Sequence, residues 1–132
     1  MEAGAKKYIP GKCNIGGKEI QKRYLAGLVG FVIAAIISFF LSFFRLNYLL
    51  FILLIFPMFL GFIGFYQGYK RFCIANAISG IYVFSDTKKG SIKDKISHRI
   101  DLKKARILIA YSLISAAILT IIMTLIAYYG VV

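Results

Sequence analysis

The stretch Pro10-Gly11-Lys12-Cys13-Asn14-Ile15-Gly16-Gly17-Lys18-Glu19-Ile20 puts glycines, a lysine and a cysteine side by side. These are the residue types of a phosphate loop or a thiol site. The phosphate reading fails on register. A Walker A loop needs Gly-x4-Gly-Lys-Ser/Thr. From Gly11 the second glycine is Gly16, but Gly17 follows it where lysine is required. Counting back from Gly17-Lys18, the first glycine falls on Lys12, and Glu19 replaces the magnesium-binding hydroxyl, so the stretch reads instead as a loop that turns at Gly16-Gly17 and starts a helix.

Cys13 and Cys73 are the only two cysteines and His98 the only histidine. The cysteines lie sixty positions apart, which excludes CxxC logic. A structural zinc site takes four protein ligands, and these three residues fall short of that within one chain. The thiols are therefore inert packing groups, a redox pair, or part of a shared metal site. Lys12, Lys70 and Arg71 lie near them in sequence and would lower a thiol pKa. His98 sits in a basic stretch and reads as a surface residue. No Ser-His-Asp set or paired-carboxylate constellation is present, so an enzyme is not expected.

The elements that must position these residues are apolar. Of 132 residues, 60% are hydrophobic, yet the formal charge is +12. A soluble fold of this size cannot hide so much apolar surface. Charge and apolar bulk are segregated: Tyr24 to Phe44, Leu46 to Tyr69 and Ile107 to Val132 carry no charged residue. About 20 apolar residues cross a bilayer core as a helix, so each run predicts a span. The first run is too long, and lacks the cleavage site, for a removed signal peptide. The expectation is an all-α integral membrane protein, one membrane domain over 1–132, with transmembrane helices at about 24–44, 46–69 and 107–129.

Basic residues remain cytoplasmic during insertion. Six precede the first span, Arg45 alone separates the first and second, ten lie between the second and third, and none follows. This predicts a cytoplasmic amino terminus (1–23), a cytoplasmic 70–106 loop and an outside carboxyl terminus in a cell membrane. The short turn at Arg45-Leu46-Asn47 predicts an antiparallel hairpin, with Pro57 kinking its second helix. Small-residue pairs, Ala26/Gly30, Gly64/Gly68 and Ser112/Ala116, favour close helix contact within the chain or between copies. Antiparallel packing also brings the Cys13 and Cys73 segments to one end of the bundle.

In the loop, 72–84 is apolar but too short to span, and predicts an interfacial helical segment. Cys73, Asn76, Ala77 and Gly80 share one face, and Ile74, Ile78 and Ile81 another. Residues 85–90 read as a solvated turn. A basic amphipathic helix is expected over 92–106, with Ser91 and Asp94 as a capping signature. Its Lys93, Lys95, Arg99, Lys103 and Lys104 suit anionic lipid headgroups. Nucleic acid is not an expected partner, because the insertion rule already explains the charge and no recognition motif accompanies it. No carboxylate lies inside a span, which argues against a proton or cation pump. Asn14, Gln67, Asn76 and His98 remain as candidate polar partners, with Gln67 less than two helical turns from Cys73.

Cys13-Asn14-Ile15-Gly16, Glu19-Ile20, Lys22-Arg23, Gln67 and Phe72-Cys73 together resemble a family of small prokaryotic integral membrane proteins of uncharacterised activity. The resemblance runs from the cysteine loop through the second span into the following loop. In such sequences proline often follows the first glycine; Gly17 stands there in this chain. The resemblance implies that the two cysteine-bearing segments act as a unit, and it supplies no mechanism. The leading functional expectation is a structural or accessory membrane protein that packs with itself or a partner, without a cofactor. One alternative is a cytoplasmic-face thiol site for redox chemistry or metal, formed by Cys13 and Cys73. The other is a small-solute pore or carrier formed by an oligomer.

Overall fold

A computed structural model describes residues 8–84 and 89–129. Three helical segments are long and apolar enough to cross a membrane: Gly17–Phe43, Tyr48–Lys70 and Lys95–Tyr128. Helix α1 (Gly17–Phe43) starts directly after Gly16, at the glycine pair where the sequence places the turn. It ends in a tight reversal with Arg45 at φ 50°. Asn47 opens the second span, its Oδ1 accepting from the Leu49 N–H at 2.9 Å.

The second span changes helix type along its length. Tyr48–Leu54 is a 3₁₀-helix, and α2 covers Ile55–Lys70. Pro57 is thus the third residue of α2. There its missing N–H belongs to a first turn that has no α-helical partner for it. The proline is accommodated by a change of helix type rather than by a mid-helix break. Seven residues is a long 3₁₀ run.

Glycines set the α1–α2 approach. A Cβ on Gly30 would lie 2.5 Å from the Gly61 nitrogen, and one on Gly64 would lie 2.5 Å from the Gly27 nitrogen. Only backbones without side chains can approach so closely in lipid, where packing rather than hydrophobic burial holds helices together. Ala34, Phe51, Leu54, Met58 and Ala116 then form the buried core where α4 (Lys95–Tyr128) joins the hairpin. Ser112 and Ala116 are also fully buried. The small residues are spent inside one chain.

The remaining elements form a cap at the end of the bundle that holds α1's start and α2's end. The segment expected to be helical over 72–84 divides: α3 covers Ile74–Ser79, Gly80 stops it at φ 72°, and β1 covers Ile81–Val83. Ile-Tyr-Val after a left-handed glycine favours a strand over another helical turn. β1 pairs antiparallel with β2 (Lys89–Ser91), Tyr82 opposite Gly90, and on its other edge Ile15 bridges Val83 in parallel. Within α3 the small face is the buried one: Asn76 and Ala77 face protein while Ile78 is exposed. The basic helix starts at Lys95 and runs without a break into the third span. Asp94 caps it, accepting from the Ile96 N–H and the Ser97 hydroxyl. The Ser97 bond, then the Ile96 bond, hold the Asp94 carboxyl below its usual range. Ser91 lies in β2 instead. Most of the expected turn at 85–90 lies outside the described residues.

Gly64→Ala is expected to destabilise the protein by roughly 1–3 kcal/mol through overpacking. Gly17→Ala, whose Cβ meets nothing within 4 Å, leaves stability unchanged or higher. Thermal unfolding of both variants in detergent, followed by circular dichroism, checks this; equal melting curves would refute the close α1–α2 approach.

Candidate functional site

The two cysteine-bearing segments meet, and Asn14 joins them. Its side chain is completely buried. Asn14 Oδ1 accepts from the Cys73 N–H at 2.6 Å, and its Nδ2 donates to the Cys73 carbonyl at 3.1 Å. One carboxamide thus bonds both backbone groups of one residue, whose carbonyl also accepts from the Ala77 N–H at 3.0 Å. The Asn14 main chain is engaged as well. Its N–H donates to the Arg71 carbonyl at 3.1 Å, and its carbonyl accepts from the Val83 N–H at 3.0 Å. Gly16 completes the strand-like contact, donating to the Val83 carbonyl.

The receiving end is built by the termination of α2. Arg71 takes the left-handed conformation, φ 55° and ψ 43°. The Phe72 N–H then bonds the Gln67 carbonyl at 3.0 Å and the Arg71 N–H bonds the Gly68 carbonyl at 3.2 Å. This is a Schellman turn, with arginine where glycine is usual. Phe72 seals it by packing with Tyr66, Ala105 and Leu108. Gln67 Oε1 accepts from the Ile74 N–H at 2.9 Å, covering the first amide of α3. Gln67 and Asn14 therefore both serve the backbone of the 72–74 turn.

The sulfurs occupy different surroundings. Cys13 packs with Phe84, Tyr82, Tyr8 and Ile20, and its thiol donates to the Ile15 carbonyl at 3.6 Å. Cys73 is fully buried beside Asn14's carboxamide. Side chains alternate along extended chain, so the Asn14 side chain that reaches Cys73 sends that of Cys13 the other way. Both cysteines are free thiols. Burial pushes the Cys13 thiol pKa up, against a smaller lowering by Arg71. Such a thiol is a packing group rather than a nucleophile at neutral pH. Among the described residues no three His, Cys, Asp or Glu side chains gather as a metal site.

His98 Nε2 lies 3.0 Å from the Ala77 carbonyl and ties α4 to α3. The nitrogen carries the proton there, since a carbonyl can only accept. Asn76 Nδ2 is buried and finds no partner among the described residues. Lys93, just before α4, and Lys95, Arg99 and Lys103 along its first turns are exposed, and Lys104 is half-buried.

Asp101 was not apparent from sequence. It is fully buried on α4, accepting from the Tyr8 hydroxyl at 2.6 Å and the Gly11 N–H at 2.7 Å. Gly11 takes φ 71° to present that N–H. Burial, then the Asp101 carboxylate, raise the Tyr8 pKa well above its usual value. The available signal was a lone acid amid Arg99, Lys103 and Lys104, on a helix where a solvated carboxylate would need no partner.

No protein-family model matches the chain, and no curated protein or solved structure is significantly similar to it. Function must therefore be argued from this geometry.

Asn14→Leu strands the Cys73 N–H, while the Cys73 carbonyl keeps its bond from the Ala77 N–H, and is expected to cost about 1–3 kcal/mol, the cost of one buried orphan. Asn14→Asp keeps an acceptor for the N–H, loses the donor, and buries a charge, so it does not rescue. Cys13→Ser and Cys73→Ala are expected to cost less than Asn14→Leu. Chemical denaturation of the four variants in one detergent checks the order; a cysteine variant more damaging than Asn14→Leu would reverse it.

Proposed function

We propose that the protein is a structural or accessory integral membrane protein that works by association, with itself or with a larger membrane partner. The observation that carries this reading is the use made of its buried polar side chains. Asn14, Gln67 and His98 each bond a backbone group of another segment, and Asp101 binds the amino-terminal segment. These groups hold a shape; they do not converge on a space where a reacting atom would sit. The outward faces are large and apolar, including Phe39, Phe40, Phe43 and Phe44 on α1.

The basic cap is assigned to the cytoplasm on the distribution of lysine and arginine. Anionic headgroups are its counter-charge, met by Lys93, Lys95, Arg99, Lys103 and Lys104. A thiol site of Cys13 and Cys73 is the second reading. It is favoured by the direct contact of their segments through Asn14 and opposed by the burial of both sulfurs.

Native mass spectrometry from mild detergent tests the proposal. A defined oligomer, or a fixed stoichiometry with a co-purifying membrane protein, is expected. A stable lone monomer would contradict it. Stoichiometric metal, or rapid Cys13–Cys73 crosslinking in the same preparation, would favour the thiol reading instead.

A further inference from the structure

We infer that the cavity at the end of the bundle opposite the cap binds the phosphate of a phospholipid headgroup, with the Arg45 guanidinium as its counter-charge. The inference rests on the membrane-spanning reading of the three long helices and is independent of the association proposed above.

The cavity has a volume of about 260 Å³ and is walled by three elements: the end of α1, the start of the 3₁₀-helix and the end of α4. Ser42, Arg45, Asn47 and Tyr48 supply its polar side, and Phe51 and Ala127 belong to its apolar side. Backbone bonds fix the reversal that carries Arg45. The Leu46 N–H bonds the Leu41 carbonyl at 3.0 Å, and the Arg45 N–H bonds the Ser42 carbonyl at 3.1 Å. This is a second Schellman turn, again with arginine in the left-handed position that glycine usually takes. Tyr48 and Tyr128 join the 3₁₀-helix to α4, their rings edge-on with centroids 4.9 Å apart.

The chemistry of the lining selects an anion. Every polar side chain there can donate: a guanidinium, two hydroxyls and the Asn47 amide nitrogen. Asn47 Oδ1, which can only accept, is already taken by the Leu49 N–H at 2.9 Å. Arg45 is the only charged residue from 24 to 69. No acidic side chain lies between Glu19 and Asp86 or after Asp101, so the helix ends that wall the cavity carry none. The ion pairs among the described residues both centre on Glu19, in the first turn of α1. A guanidinium meets phosphate through paired N–H donors in one plane. Depth and size select the source. Arg45 separates two uncharged runs, 24–44 and 46–69, and so stands at a membrane boundary. Tyr48, Tyr128 and Tyr129 are exposed at the same end, as interfacial aromatics are. Basic pockets between transmembrane helices at that level take lipid headgroups. Pockets that enclose a whole small molecule run to about 300–1,000 Å³; this smaller one takes a headgroup whose acyl chains stay in the bilayer.

The test uses the full chain in nanodiscs of phosphatidylethanolamine mixed with a phosphate-free galactosyl diacylglycerol, with lipids retained per chain counted by native mass spectrometry. Wild type is expected to keep the phospholipid preferentially. R45G is expected to weaken that retention roughly tenfold or more while melting at or above the wild-type temperature, because glycine takes φ 50° without strain. S42A/Y48F keeps the charge and the ring contact with Tyr128, and is expected to weaken retention severalfold. K93Q/K95Q, at the cap, leaves this lipid in place. Undiminished retention in R45G or in S42A/Y48F would overturn the inference, as would equal retention of the galactolipid or an equal loss in K93Q/K95Q. Displacement of the lipid by millimolar inorganic phosphate would overturn it in favour of a free-phosphate site. Residues 130–132 lie outside the described residues, and a neutral Gly-Ser tail added after Val132 moves the terminal carboxylate further along the chain. Unchanged retention is expected there; a gain would assign the cavity to that carboxylate instead. Subunit number is read from the same spectra. A lone monomer that retains the lipid would remove the proposed association and leave this site standing.

Discussion

The cap of this protein depends on one side-chain amide. Cys73 lies between the end of α2 and the start of α3; its carbonyl accepts the first helical bond of α3, from the Ala77 N–H, but its own N–H lies beyond the α2 ladder. Asn14 supplies a donor and an acceptor at the spacing of a peptide group and pairs with both. Its own main chain then ties Arg71 and Val83. One residue thus joins the end of the second span, the first amides of α3 and the small sheet. Arg71 pays a conformational penalty of about 1–2 kcal/mol for its left-handed backbone. That turn aims its carbonyl at Asn14, so the strain is part of the same arrangement.

Two kinds of physics hold the molecule. Within the bilayer, water is absent from both the separated and packed states, so burial of apolar surface drives little. Contact there is made by backbone approach at Gly27, Gly30, Gly61 and Gly64. Outside it, the cap is built like a small soluble domain, with a strand pair, a capped helix and buried polar groups in networks. Phe72 links the two regimes, since it both seals the α2 terminus and packs on α4. Asp101 performs the matching task on the other side by holding Tyr8 and Gly11 to α4. The amino-terminal segment is consequently clamped between two long helices.

The spans were legible because hydropathy is a local property of about 20 residues. So was the start of α1 at the glycine pair. Pro57 was legible as a disruption but not in its form, because the choice between a kink and a 3₁₀ entry depends on the residues that pack around it. Residues 81–83 were misread as helix because Ile74, Ile78 and Ile81 fit a helical stripe; the pairing with Ile15 and β2 that makes them a strand is long-range. The cysteines drew attention by their chemistry and did mark the two segments that meet. The residue that makes the contact is the asparagine beside one of them. Nothing local distinguishes an asparagine that will pair with a distant peptide from one in a solvated turn. Asp101 was hidden for the same reason, its partners being 93 and 90 residues away.

The central claim is that the Cys73 peptide is held by Asn14. Amide hydrogen exchange on the wild-type protein in detergent, resolved to the 71–75 segment, tests it most directly. The Cys73 amide is expected to exchange as slowly as amides within α2, along with the Ile74 amide that Gln67 covers. Exchange of the Cys73 amide at the rate of an exposed loop would contradict the account.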